Sequence, residues 1–311
     1  MRVFVAGATG AIGDRLVPQL VERGHEVIGT ARTPLRAQRI DAHGGRPVAL
    51  DLLDPRAVRA AVLAARPDAI VHQATALSGG LDTKHFDASF AETNRLRTDG
   101  TDALLAAAEE AGARRLVAQS YAGWPYGREG TLVKTESDPL DPDPLPGMRE
   151  TFAAIRHLED RVVQAGGLAL RYGAFYGSPN DVQLDAVRRR KFPIVGNGDG
   201  IWSFVHLDDA AAATVLALER GDPGVYNVVD DEPAPVRAWL PVLAASIGAK
   251  PPRHVPTWLA RTLAGDVGVA LQTEVRGASN EKAKRELGWT LAHPSWRQGF
   301  EVAYRDLRAA A

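Results

Sequence analysis

The chain has 311 residues, 37 Lys and Arg against 38 Asp and Glu, and no cysteine. That length suffices for one large or two small domains, while a net charge of −1 offers no basic field for nucleic acid. The missing thiols exclude disulfides, thiolate nucleophiles and cysteine-held metals. No signal-like segment precedes the first strand, and no apolar run is long enough to span a bilayer. The expectation is a soluble, cytoplasmic α/β protein without membrane contact.

Val3, Phe4, Val5 and Ala6 form an apolar run that reads as a buried parallel strand. Gly7, Gly10 and Gly13 follow at three-residue intervals, with Thr9, Ala11 and Ile12 between them. Ile12, Leu16, Val17, Leu20 and Val21 then recur at helical spacing until Gly24, a C-cap glycine. A glycine turn between a strand and a helix start leaves backbone N–H groups and the helix dipole free to hold a pyrophosphate, and the absent side chains let it approach. A tight turn alone would use the same glycines; the strand before and the helix after are what favour a dinucleotide site.

The Gly-x-x-Gly-x-x-Gly spacing resembles the short-chain dehydrogenase/reductase superfamily, in particular its extended, epimerase/dehydratase-like branch. The resemblance implies a doubly wound, Rossmann-type parallel α/β sheet with a smaller, mostly helical C-terminal lobe. The second strand, from Glu26 to Thr30, leads into Ala31, Arg32 and Thr33. The residue just past that strand faces the adenosine ribose in this architecture, and an arginine there favours a 2′-phosphate, hence NADP(H) over NAD(H). Thr33 and Arg36 are possible helpers, and a solvated surface arginine is the alternative. Asp51 and Leu52, after a strand at Pro47–Leu50, resemble the family's adenine-contacting pair. The segment from Ala69 to Ala76 reads as the fourth strand and its exit, and the resemblance puts Gln73, Ala74 and Thr75 beside adenosine and ribose. His72 within it reads as packed rather than catalytic.

At the reaction centre the resemblance stops. The family's usual acid/base pair is Tyr-x-x-x-Lys on the helix after the fifth strand, supported by a serine at the strand's end. Here that strand is Arg115 to Gln119, followed by Ser120, Tyr121, Ala122, Gly123, Trp124, Pro125, Tyr126 and Gly127. Aligned on Glu159, the tyrosine position is Thr151 and the lysine position Ile155. The six tyrosines are followed four residues later by Pro125, Gly130, Tyr176, Asn180, Asp230 and Arg308, and no lysine lies between Lys134 and Lys191. The pair is therefore absent. The position of the supporting asparagine carries Arg97, with Asn94 nearby. Tyr121 falls where the family has its serine, so Tyr121 and Ser120 are the candidate donors to a developing oxyanion; Tyr121 packing in a strand–loop corner is the equal alternative. A conjugated acceptor that stabilises its own anion would need no protein acid.

Tyr172, Gly173 and Phe175 resemble the family's segment beside the nicotinamide, continuing to Tyr176. The stretch from Ile194 to Asp209 resembles the branch's Val-His-x-x-Asp return, with Trp202 where sugar-nucleotide members carry a pyrophosphate-gripping arginine. Trp124, Trp202 and Tyr176 are the candidate substrate residues for a flat, uncharged molecule, although tryptophans also fill cores. The proline-rich Glu136–Gly147 stretch reads as a loop on the substrate side, and the Arg188–Lys191 run as a wet helix face. Eight histidines without paired spacing give no metal site.

The expected domains are 1–175 with 204–232 for the dinucleotide, and 176–203 with 233–311 for substrate. The expected activity is NADPH-dependent reduction of a small conjugated or aromatic carbonyl compound. Transient-nicotinamide epimerase or dehydratase chemistry and a non-catalytic NADP(H) sensor are the alternatives. A homodimer through the helices flanking the site is left open.

Overall fold

The unbroken apolar start of the chain is explained by burial on both faces: Val3, Phe4, Val5 and Ala6 are all sealed inside β1 (Arg2–Ala6). The computed structural model describes residues 1–77, 82–178 and 182–309. Six further strands join β1 in one parallel sheet: β2 (Glu26–Ala31), β3 (Arg46–Ala49), β4 (Ala69–His72), β5 (Arg115–Tyr121), β6 (Leu168–Tyr172) and β7 (Gly224–Val228). Their order is β7-β6-β5-β4-β1-β2-β3. Val3 is in register with Val27 on one side and Ala69 on the other. The chain winds outward in both directions from the β1–β4 boundary, so a crevice opens there at the carboxyl ends of the strands.

Helices cover both faces. On one lie α1 (Gly13–Glu22) and, later in the chain, the helix Leu207–Arg220; Leu16, Val17 and Leu20 meet Ala210, Ala213 and Ala217 in one core cluster. On the other lie α3 (Pro55–Ala65), α5 (Thr101–Ala111) and α6 (Arg149–Gln164), which enclose Val58, Leu104 and Leu158. Here α2 is Pro34–Ala42 and α4 is Phe86–Arg95. The helix expected from Thr101 is the second half of a longer rod: α4 runs through a π-turn (Leu96–Gly100) into α5.

A separate core lies beyond the sheet. Trp239, Leu240, Trp296, Phe300 and Tyr304 pack around Phe204 and Tyr176. Short pairings tie this lobe to the sheet domain: Ala174–Tyr176 runs parallel to Phe204–His206, and Ile201–Trp202 antiparallel to Ala234–Pro235. The helix Thr257–Thr273 breaks at Gly265, whose φ of +73° leaves the helical region. The Arg188–Lys191 run differs from its expected helical face: the helix stops at Arg188, and Arg190 sits at φ +55°. Asn180 and Asp181, expected to begin an irregular stretch, lie outside the described residues.

Candidate active site

The glycine turn is shaped by contact. Gly7 has φ +86°, and a Cβ there would stand 2.6 Å from the Ala74 backbone nitrogen. A Cβ on Gly13 would stand 2.3 Å from the Gly7 carbonyl oxygen. Gly7 N–H donates to Thr30 Oγ1 at 3.0 Å, which ties the turn to β2. The start of α1 has no side-chain cap at Ile12; the Asp14, Arg15 and Leu16 amides donate to backbone carbonyls, which leaves those of Ala11, Ile12 and Gly13 for an anion.

Beside this turn is a groove of about 590 Å³. Gly7, Thr9, Gly10, Arg32, Asp51, Leu52, Gln73, Ala74 and Thr75, all anticipated for the cofactor, line it together with Thr30, Ala31, Arg36, Leu50, Glu92 and Leu96. Gln73 Nε2 donates to Tyr172 Oη at 3.0 Å, leaving Gln73 Oε1 buried without a partner. A buried acceptor at the groove wall calls for a donor from a ligand, such as a ribose hydroxyl. The turn, the uncapped helix and this orphaned acceptor fit a dinucleotide. His72 is packed: its ring donates to the Leu96 carbonyl at 3.1 Å, and burial lowers its pKa to about 4.

The other anticipated cofactor residues are not among those that line the groove. Ala11, Ile12 and Gly13 form the helix start, with the Ile12 side chain sunk in the core rather than facing the groove. Tyr172 is fully buried, its hydroxyl between Gln73 and Thr214, so it braces Gln73 from behind. Gly173 is small because a Cβ would meet the Ser203 carbonyl oxygen at 2.6 Å, and Phe175 packs on Tyr172.

The end of β5 divides the candidate donors. Adjacent strand residues point to opposite faces. Ser120 therefore enters the layer under α6, where its Oγ donates to Glu159 Oε1 at 2.6 Å. Glu159 accepts two bonds from Arg171, at 2.7 and 2.6 Å, and Arg171 also donates to Tyr126, whose hydroxyl donates to Asn227. This buried network consumes Ser120, so the expectation that it donates to substrate is corrected. Tyr121 turns the other way, into a narrow pocket lined by Tyr121, Ala122, Gly123, Trp124, Ile201, Trp202, Ser203, Leu271 and Val275. Its ring stacks on Trp124 with centroids 5.1 Å apart, and burial pushes its pKa up to about 12.

Trp124 and Trp202 thus meet in one pocket. Phe86, Phe90 and Phe152 brace Trp124, and Trp202 Nε1 donates to the Leu271 carbonyl at 2.8 Å. Tyr176 does not join them: it is buried in the lobe against Phe300 and His206, and its place as a substrate residue is corrected.

The positions of the missing pair are filled by packing. Ile155 is buried, and Thr151 Oγ1 donates to Asp87 Oδ1 at 2.6 Å while accepting from Asn94 Nδ2 at 3.1 Å. Asp87 also accepts the N–H groups of Glu150 and Thr151, capping α6 from α4. Arg97, over the Phe90 ring at 5.7 Å, is buried with Nη1 unpartnered. His206, Asp208 and His293 cluster within 4.8 Å, a grouping that the distance between the two histidines along the chain hides in sequence. Part of this set is engaged within the protein: His206 Nδ1 accepts the Asp208 N–H at 3.2 Å, and Asp208 pairs with Arg15 at 3.3 Å.

A groove beside a glycine turn at the carboxyl ends of a parallel sheet is what an NAD(P)-dependent oxidoreductase requires. The family comparison makes the assignment specific: the model of the NAD-dependent epimerase/dehydratase family matches residues 3–229, and the chain belongs to that family. A 3-diazoavenalumate denitrifying reductase of a Streptomyces species is 46% identical over 308 residues, covering 96% of this chain and 99% of that protein. A 4-hydroxy-2-methyl-3-oxo-4-farnesyl-3,4-dihydroquinoline-1-oxide ketoreductase of Stigmatella aurantiaca is 30% identical over 97% of this chain and 95% of its own. Among solved structures, the Thermus thermophilus UDP-glucose 4-epimerase in complex with NAD superposes with a TM-score of 0.74 at 27% identity, covering 100% of both chains. With these relatives, the protein is a reductase of the epimerase/dehydratase type.

Proposed function

We propose that this protein is an NADPH-dependent reductase of a small, flat acceptor, either a conjugated or aromatic carbonyl compound or an aromatic diazo compound. The observation that carries the reading is the aromatic pocket at the end of β5, where the Tyr121 phenol lies beside Trp124 and the lysine position holds buried Ile155. Bound NADPH supplies the hydride. Trp124 and Trp202 offer faces for a planar ring, and their apolar surroundings exclude water from it. With its pKa raised by burial, Tyr121 stays protonated and donates to an oxygen that becomes negative, and solvent then reprotonates it.

The diazo acceptor is supported by the 46% identical relative. An arenediazonium ion that takes hydride forms a C–H bond and releases N2. No oxyanion forms, so that chemistry tolerates the loss of the tyrosine–lysine pair. Epimerisation is disfavoured because it requires a base to open the reaction, and Thr151 and Ile155 provide none.

The test is NADPH consumption with a quinone, an enone, a hydroxyaryl ketone and an arenediazonium salt, with NADH run in parallel and UDP-glucose as control. Turnover with at least one flat acceptor, preferring NADPH, is expected. Interconversion of UDP-glucose and UDP-galactose without net cofactor oxidation would overturn the reading, as would bound NADPH that none of these acceptors oxidises.

A further inference from the structure

We propose that Glu92 sets how strongly the groove prefers NADPH over NADH, by competing with the 2′-phosphate for Arg32. The inference rests on the dinucleotide occupying the groove. Arg32 leaves the end of β2 and Glu92 stands on α4, yet Arg32 Nη1 and Glu92 Oε1 are 2.8 Å apart, and both line the groove. The two side chains remain 55% and 53% exposed, so a ligand can reach and separate them.

The other charged groups at this end are placed differently. The Arg36 guanidinium lines the same groove and makes no hydrogen bond or ion pair among the described residues. Asp51 also lines it, with Oδ1 turned back to accept the Leu53 N–H at 3.0 Å. Of the two cations available to a phosphate, one is already neutralised.

A phosphate monoester is close to a dianion at neutral pH. To pair with Arg32 it must displace Glu92, and it then lies close to the carboxylate it displaced. A 2′-hydroxyl meets neither cost. Glu92 therefore acts against NADPH and leaves NADH nearly untouched, with Arg36 as the uncontested phosphate partner. Because the groups are exposed, solvent and salt keep the effect modest.

The experiment is calorimetric titration of NADPH and NADH into wild type, Glu92→Gln, Arg32→Ala and the double variant. Glu92→Gln should bind NADPH about tenfold more tightly, the scale of one exposed ion pair no longer broken plus one repulsion removed. NADH affinity should stay within about twofold, and the melting temperature should not move, since exposed pairs contribute little. In the Arg32→Ala background the gain should shrink to about twofold, leaving only the direct repulsion. Unchanged NADPH affinity in Glu92→Gln, or equal tightening of NADH, overturns the proposal. A gain that persists undiminished without Arg32 overturns the competition. A wild type that binds NADH more tightly would count against the NADPH reading of the function, while the shift in ratio would still support the role of Glu92. The titrations need no acceptor, so failure to find a substrate leaves them intact.

Discussion

The groove beside the glycine turn joins glycines and short side chains of successive βα turns to a few long side chains such as Arg32, Arg36 and Glu92, whereas the pocket at the end of β5 is walled by aromatic and aliphatic side chains from separated segments: Tyr121 and Trp124, Trp202, and Leu271 and Val275. The first recognises features that every dinucleotide shares, and close backbone approach leaves little room for variation. The second is the pocket proposed for the acceptor, and its side chains are free to change with the molecule it takes. The positions of the missing acid/base pair, Thr151 and Ile155, line neither of them and are buried in packing.

The comparison is broken most severely from the groove side. Gly7→Ala places a methyl group 2.6 Å from backbone that cannot retreat, at a φ that alanine avoids. It should cost about 3 kcal/mol of stability and abolish NADPH binding, read by thermal denaturation with and without cofactor.

Tyr121→Phe sharpens it from the pocket side. Carbonyl reduction should fall about 100-fold, the scale of one lost proton donor, while reduction of an arenediazonium salt should be unchanged. Wild-type rates on both acceptors would remove Tyr121 from the chemistry. The pH profile carries a sign. Since burial raises the folded phenol to about 12, its donor form persists on raising pH, and the carbonyl rate should not fall between roughly pH 7 and 10 through this group. A fall near pH 8 in wild type that disappears in Tyr121→Phe would mean that some cation depresses the phenol.

The smallest effect on turnover belongs to Ser120→Ala. Removing the 2.6 Å bond to Glu159 should lower stability by about 1–3 kcal/mol, as expected for a buried, charge-assisted bond, with kcat/KM near wild type. A large loss of kcat with an unchanged melting temperature would return Ser120 to the reaction.

Regular periodicity made the groove legible. Apolar strand, glycine turn and amphipathic helix are local patterns, and the family resemblance assigned Asp51, Leu52, Gln73, Ala74 and Thr75 at the strand ends that those patterns locate. Tyr121 and Trp124 were reachable because they lie at the end of β5 and just beyond it. Ser120 was misplaced because a residue count identifies the strand end but not which face each side chain takes. Tyr176 was misplaced for a related reason, since its short strand turns it into the lobe core with Phe300. Phe86 and Phe90, four residues apart on α4, carried a helical signal that could have marked a buried face; nothing local tied them to Trp124.

What the amino-acid order determined by itself is the parallel sheet, the dinucleotide turn and the loss of the tyrosine–lysine pair, because each depends on neighbours within a turn or a strand. What only the tertiary structure decided is which side chains meet: Arg32 with Glu92 across the groove, Ser120 with Glu159 and Arg171 beneath it, Trp124 with Trp202 in the pocket. Those pairings join residues far apart along the chain, and it is the packing of strands and helices, rather than sequence spacing, that brings them together.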